Sequence, residues 1–192
     1  MSKMSILVIL LIIVLCVFLC ALITYDWGWW PTRPPQREFS REALLLSEED
    51  LGGKWRIVRR SGWDQGSGII IESTDWHFAM YNEQGKIVAE IGHFVHRFDN
   101  KQHARGYFNS EYLLYYKDKI LPMTNNFFQP KYADNWFVTE DKTFYIATYD
   151  EFMIALATSE EEIKQGYITY EQLSSWFREM DERAGRLLGK SK

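Results

Sequence analysis

Cysteine is nearly absent from this chain: there are two among 192 residues, Cys16 and Cys20, and both fall near the amino terminus. Everything beyond residue 20 therefore has no paired cysteines and no cysteine that could join a zinc site. Histidine is scarce as well, with four residues. His93 and His96 are three apart on an expected strand and so point to opposite faces, while His77 and His103 lie elsewhere. No metal site is expected. The net charge is -4 with no basic excess, so nucleic acid is not an expected partner. No glycine loop of phosphate-cradling spacing occurs, and Gly66–Gly68 lacks the flanking glycines of a nucleophile elbow. Asp134, Asp141 and Asp150 lack calcium-loop spacing. With no local catalytic signature, the chain is expected not to be an enzyme and to carry no cofactor.

What is present begins with an uncharged run, Ser5–Thr24, within "SILVILLIIVLCVFLCALITYDWGWWPTRPP". About 20 apolar residues in a helix match the ~30 Å hydrocarbon core of a bilayer. The run is longer than a signal-peptide core, and Ala21-Leu22-Ile23 offers no small-x-small cleavage site. Leu15 and Leu19, before the two cysteines, stand where a lipobox requires a small residue. The expectation is a permanent anchor. Tyr25, Trp27, Trp29 and Trp30 then fall at headgroup level, as an aromatic belt or as a contact for a pigment, quinone or neighbouring helix. Cys16 and Cys20 share one helix face and are candidates for packing against a partner helix or for acylation. Lys3 and the free amino terminus favour a cytoplasmic tail, which puts the remainder outside the cytoplasm, against a weaker bias from Arg33 and Arg37. The organisation is a short tail (1–4), an anchor (5–24), an aromatic and proline-rich linker (25–38), and a domain (39–192).

Within that domain the patterning is legible. Ser40 caps "REALLL"; Ser47 and Asp50 form a second cap-like pair, stopped by Gly52-Gly53. "KWRIVRR", "GIIIES" and "WHFAMYN" read as strands, the last with a period of two. "NEQGK" turns into "IVAEIGHFVHRF", whose apolar phase moves from Ile87, Ala89 and Ile91 to Phe94 and Phe98, so a bulge is expected at Gly92. A helix from about Asn100 places Ala104, Tyr107, Phe108, Glu111, Leu114 and Tyr115 on one stripe. "NWFVT", "TFYIATY" and "EFMIALAT" are further strands, and "SEEEIKQG" reads as a solvated acidic turn. Thr169 and Gln172 form a capping box with an Ile168–Leu173 staple, opening a helix with Leu173, Trp176, Phe177, Met180, Ala184, Leu187 and Leu188 on its apolar side. The expected fold is α+β: an antiparallel sheet with helices packed on one face, preceded by one transmembrane helix. "NNFFQPKY" is a long aromatic connection. Phe127, Phe128 and Tyr132 are candidates for a partner- or ligand-binding lip, unless the two phenylalanines plug the core.

"ALLLSEEDLGGKW" (43–55) resembles the opening of small bacterial exported domains, which carry a leucine-rich turn followed by Asp-Leu-Pro-x-Gly-Trp. Phe98 and Ala104 match their phenylalanine and alanine leading into a helix, Ala133-Asp134 their Ala-Asp dipeptide, and "FMIALAT" their late apolar strand. Gly52 stands where those domains have proline, and their lipobox is missing. The resemblance implies a fold loosely similar to photosystem accessory proteins, an extracytoplasmic place and a non-enzymatic role. Together these features lead to a non-catalytic, single-pass protein of the cell membrane that serves as an accessory subunit among other membrane-protein subunits. The alternative is a solitary binding module for a peptide or a small apolar ligand.

Overall fold

The computed structural model describes residues 39–64, 69–120 and 127–190. The anchor (5–24), the linker (25–38), Cys16, Cys20, Tyr25, Trp27, Trp29 and Trp30 lie outside the described residues. No helix among the described residues is long and apolar enough to cross a membrane.

Six strands form one antiparallel sheet: β1 (Trp55–Asp64), β2 (Ile70–Tyr81), β3 (Ile87–Phe98), β4 (Asn135–Val138), β5 (Phe144–Tyr149) and β6 (Phe152–Ala157), in the order β1-β2-β3-β6-β5-β4. The two expected strands "GIIIES" and "WHFAMYN" are one continuous β2. Its hairpin with β3 turns at Gly85, where φ of 74° favours a residue without a Cβ.

The two faces of the sheet are covered by different elements. On the first lies α3 (Tyr170–Leu187), the expected amphipathic helix. Thr169 and Gln172 make the reciprocal capping box, and Leu173, Phe177, Met180 and Ala184 are fully buried. Trp176 meets Trp55 edge-on, with ring centroids 6.0 Å apart, and Tyr145 stacks on Phe177 at 4.6 Å. The same core takes in Leu44, Leu45 and Leu46 from a 3-10 turn capped by Ser40 (Arg41–Leu44) and the residues after it. Arg183 ties that segment to α3 by donating to the Leu45 carbonyl and to Asp50 (2.7 Å).

The second face carries α1 (Lys101–Tyr107) and the turns that follow it. Ala104 and Phe108 pack there with Phe98, Phe137, Phe144, Ile146, Met153 and Ala155. Helices therefore lie on both faces, contrary to the expectation of one. The cause is visible in β5 and β6, which are apolar at almost every position and buried throughout except at Ala157. Strands apolar on both sides need two covers.

That arrangement also removes the bulge expected at Gly92. The pairing of His77 with Gly92 runs unbroken between Trp76–His93 and Phe78–Ile91. Ala89, Ile91 and Val95 stay in the first core while Phe94 and Phe98 serve the second. The change of apolar phase marks where the second cover begins.

The stripe after α1 is shifted too. Phe108–Leu113 is a π-helical turn, which adds a residue to the turn and moves the inward positions to Tyr112 and Tyr116. Leu114 and Tyr115, expected on the stripe, are instead 64% and 73% exposed. "SEEEIKQG" is likewise more ordered than a solvated turn. It holds α2 (Glu160–Lys164), with Ser159 and Glu162 forming a capping box and Glu162 also accepting from the Glu90 N–H.

Candidate functional site

The connection 127–134 is docked against α3. Phe128 is buried at 7% exposure between Tyr145 and Phe177, with centroids at 5.5 and 5.9 Å. Phe127 stands edge-on to Tyr170 and Phe177, and its carbonyl accepts from Ser174 Oγ at 2.9 Å. Buried Asp181 accepts from the backbone N–H groups of Lys131, Tyr132 and Ala133 at 2.6, 3.1 and 3.1 Å. The Tyr132 ring lies on Gly185 so closely that a Cβ there would meet it at 2.5 Å. Of the three expected lip residues, Phe128 is thus a core side chain, Tyr132 a packing contact on the helix, and Phe127 lines a cleft.

That cleft, of about 340 Å³, is bounded by Phe127, Tyr170, Glu171, Ser174 and Arg178. Lys142, at φ of 61° in the β4–β5 turn, sets its ammonium 3.9 Å from the Tyr170 ring centroid and 5.2 Å from that of Phe127. A cation over two rings is held by their negative faces.

A second cleft, of about 600 Å³, opens at the far end of the sheet between the 3-10 turn and the β1–β2 hairpin. Arg41, Glu42, Arg60, Ser61, Gly62, Thr74 and Trp76 line it. Register places Arg60 opposite Trp76, and the Arg60 guanidinium lies 4.9 Å from the Trp76 ring centroid. Neither the Arg59 nor the Arg60 side chain has a hydrogen bond or ion pair among the described residues. Arg41 is engaged, donating to Thr74 Oγ1 and facing Glu72 at 3.5 Å. Glu72 also meets Arg97, which reaches Glu151 at 3.8 Å and lies over the Phe152 ring. The floor is close-packed: a Cβ on Gly62 would come within 2.6 Å of the Ser73 carbonyl oxygen.

The sheet edge beside this cleft is β1, ten residues long. It carries Arg56, Arg59 and Arg60, with Lys54 just before it. Pairing with β2 shifts register between Ile57 and Arg59, and Val58 at the shift is 42% exposed. The opposite edge is smaller, four residues of β4, partly covered by the Ile120–Thr139 bridge.

Two of the histidines, His93 and His96, serve the fold. His93 is fully buried, and its Nδ1 accepts from the Leu46 N–H at 3.2 Å. The ring hydrogen is thereby assigned to Nε2, which meets no acceptor among the described residues. Burial, helped by Arg183, holds its pKa down to about 3. His96 bonds Ser73 Oγ at 2.9 Å and stacks on Phe94; burial lowers it to about 4. Among the described residues no group of three or more His, Cys, Asp or Glu is placed to hold a metal ion.

The residues that bound the two clefts, Arg41, Arg60, Trp76, Tyr170 and Arg178, were not singled out from the sequence. The available signal was "RIVRR": three arginines within five residues of a chain with net charge -4 are a local reversal of sign. No protein-family model, curated protein or solved structure matches the chain.

Proposed function

We propose that the chain is a non-catalytic accessory subunit of a larger membrane-protein complex. The segment 5–24 holds it at the membrane, and the α+β domain, on the extracytoplasmic side, meets a partner through its β1 end. The observation that carries this is the asymmetry of the two sheet edges. One is short and bridged by its own chain. The other is long and basic, is touched by its own chain at Ile57, whose N–H donates to Glu48, and is bordered by a cleft where Arg60 is held over Trp76 with its N–H donors uncommitted among the described residues. An aromatic–arginine pair at a cleft is the side-chain chemistry in which interface energy concentrates. The test is affinity purification of the full chain from mildly solubilised membranes, followed by native electrophoresis and mass spectrometry. A stoichiometric set of membrane proteins is expected. Migration solely near the monomer mass would contradict the proposal.

A second reading, a solitary binding module, is favoured by the cleft at Phe127, Tyr170 and Arg178. Its expected signature is recovery of a ligand without accompanying membrane proteins.

A further inference from the structure

We propose that the outer edge of β1 accepts an extended acidic segment of a protein partner as an added antiparallel strand, with carboxylates at consecutive positions meeting Arg59 and Arg60. This rests on the reading that the domain docks a protein partner, and it names the chemistry of the contact.

An edge strand presents a row of backbone N–H and C=O groups that can template another strand; on β1 the Ile57 N–H already donates to Glu48 Oε1 at 2.7 Å, so the added strand is placed beyond the register shift, at Arg59 and Arg60. The charges on β1 decide which strand. Arg60 is opposite Trp76 and so lies on the cleft side, on the face that carries α3; Arg56 and Arg59 are opposite Ala79 and His77 and lie on the other face. Cations at 59 and 60 thus flank the edge above and below. A second copy of this chain pairing antiparallel about these residues would bring arginines opposite arginines, which is destabilising. A neutral strand would gain the backbone bonds and no charge attraction. A strand with two consecutive carboxylates projects one to each face, because side chains alternate. Each carboxylate then meets one arginine, and Arg–carboxylate pairs can bond in bidentate fashion. Arg60 is already oriented by Trp76 at 4.9 Å, which reduces the order it must still acquire on binding. An anionic lipid surface would satisfy the charges but leave the edge N–H and C=O groups unpaired, so the peptide is the better fit.

The probe is a fluorescein-labelled peptide of alternating threonine and valine with two consecutive glutamates at its centre, titrated with the purified full chain in mild detergent and read by anisotropy. Saturable binding is expected. It should weaken at least tenfold in the Arg59→Glu/Arg60→Glu variant, and that variant should instead prefer the peptide with two lysines. N-methylation of alternate backbone amides of the peptide should abolish binding. Circular dichroism of the variant should match that of the parent, since both arginines are exposed. No saturation, or equal binding of the N-methylated peptide, would overturn the proposal. So would binding of phosphatidylserine-containing vesicles, lost in the same variant, in place of the peptide. If the peptide fails while the tagged chain still recovers its membrane partners, the strand-addition mode alone is wrong. If the peptide binds but no partner is recovered, the accessory-subunit reading fails and the edge chemistry stands.

Discussion

Lowering the pH from 7 to 5 should remove about 4 kcal/mol of stability through two buried histidines, His93 and His96. Each has an ordinary value of 6.5, and burial first of all holds the folded values near 3 and 4. A base whose folded pKa lies below its unfolded one binds more protons when unfolded. Stability is therefore whole above 6.5 and falls as pH drops toward the folded values. At pH 5 the unfolded ring is 1.5 pH units below its pKa while both folded rings are still neutral. At about 1.36 kcal/mol per unit that costs about 2 kcal/mol for each histidine. Carboxylates held below their ordinary 3.8, such as Asp50 and Asp134, lose their contribution only at lower pH, so they leave this window nearly untouched. For Asp50, burial acts upward, but the Ser47 N–H and Arg183 outweigh it. The assay is urea unfolding of the full chain followed by tryptophan fluorescence at pH 7, 6 and 5. With a slope of about 2 kcal/mol/M the midpoint should move by about 2 M. In the His93→Gln/His96→Gln variant the pH dependence should flatten whatever its absolute stability. An unchanged midpoint between pH 7 and 5, or ring resonances of His93 titrating above pH 5, would refute the burial argument.

Leu173→Ala and Trp176→Ala should each cost about 2–5 kcal/mol in the same urea assay, because both side chains are buried under the sheet and Trp176 meets Trp55. Asp181→Ala should cost about 3 kcal/mol, since the carboxylate's partners at 131–133 lose their acceptor inside the docked connection. Two helical glycines should give opposite signs: Gly106→Ala, with nothing within 4 Å of the added carbon, stabilises by about 0.5–1 kcal/mol, whereas Gly185→Ala, facing the Tyr132 ring, destabilises by about 1–3 kcal/mol. Replacing 5–24 by an unrelated apolar span should lower partner recovery, because association inside lipid depends on the fit of particular faces, such as that of Cys16 and Cys20; equal recovery would make the segment a tether only.

How much of this was legible in the sequence depended on whether local chemistry acted alone. The β2–β3 turn, the Thr169–Gln172 box and the stripe of α3 follow from residues within a few positions of one another, and the structure places them as the patterns require. The second helical cover did not reveal itself locally. Its signal was distributed over "FYIATY" and "FMIALA", whose unbroken apolarity demands two covered faces, and over the phase change in β3 that suggested a bulge instead. The stripe at Glu111, Leu114 and Tyr115 failed because a regular 3.6-residue period was assumed across a π-helical turn. Of the two phenylalanines offered as a binding lip or as plugs of the core, Phe128 is a core side chain and Phe127 borders a cleft. The carboxylate that holds the connection on the helix just after them, Asp181, is about 50 residues away in sequence and so gave no local signal. The basic edge was missed because arginines on a strand look like ordinary surface charge until the strand is known to be outermost.

The most direct test of docking through the β1 end is site-specific photo-crosslinking of the full chain in native membranes. A benzophenone side chain would replace Val58, exposed at 42% at the register shift of β1, and in a separate chain Leu114, exposed at 64% beyond the π-helical turn. A discrete adduct to a membrane-protein partner from position 58, with none from position 114, is the expected result. An adduct from position 114 alone, or no adduct from either, would contradict the claim that this domain meets a partner through β1.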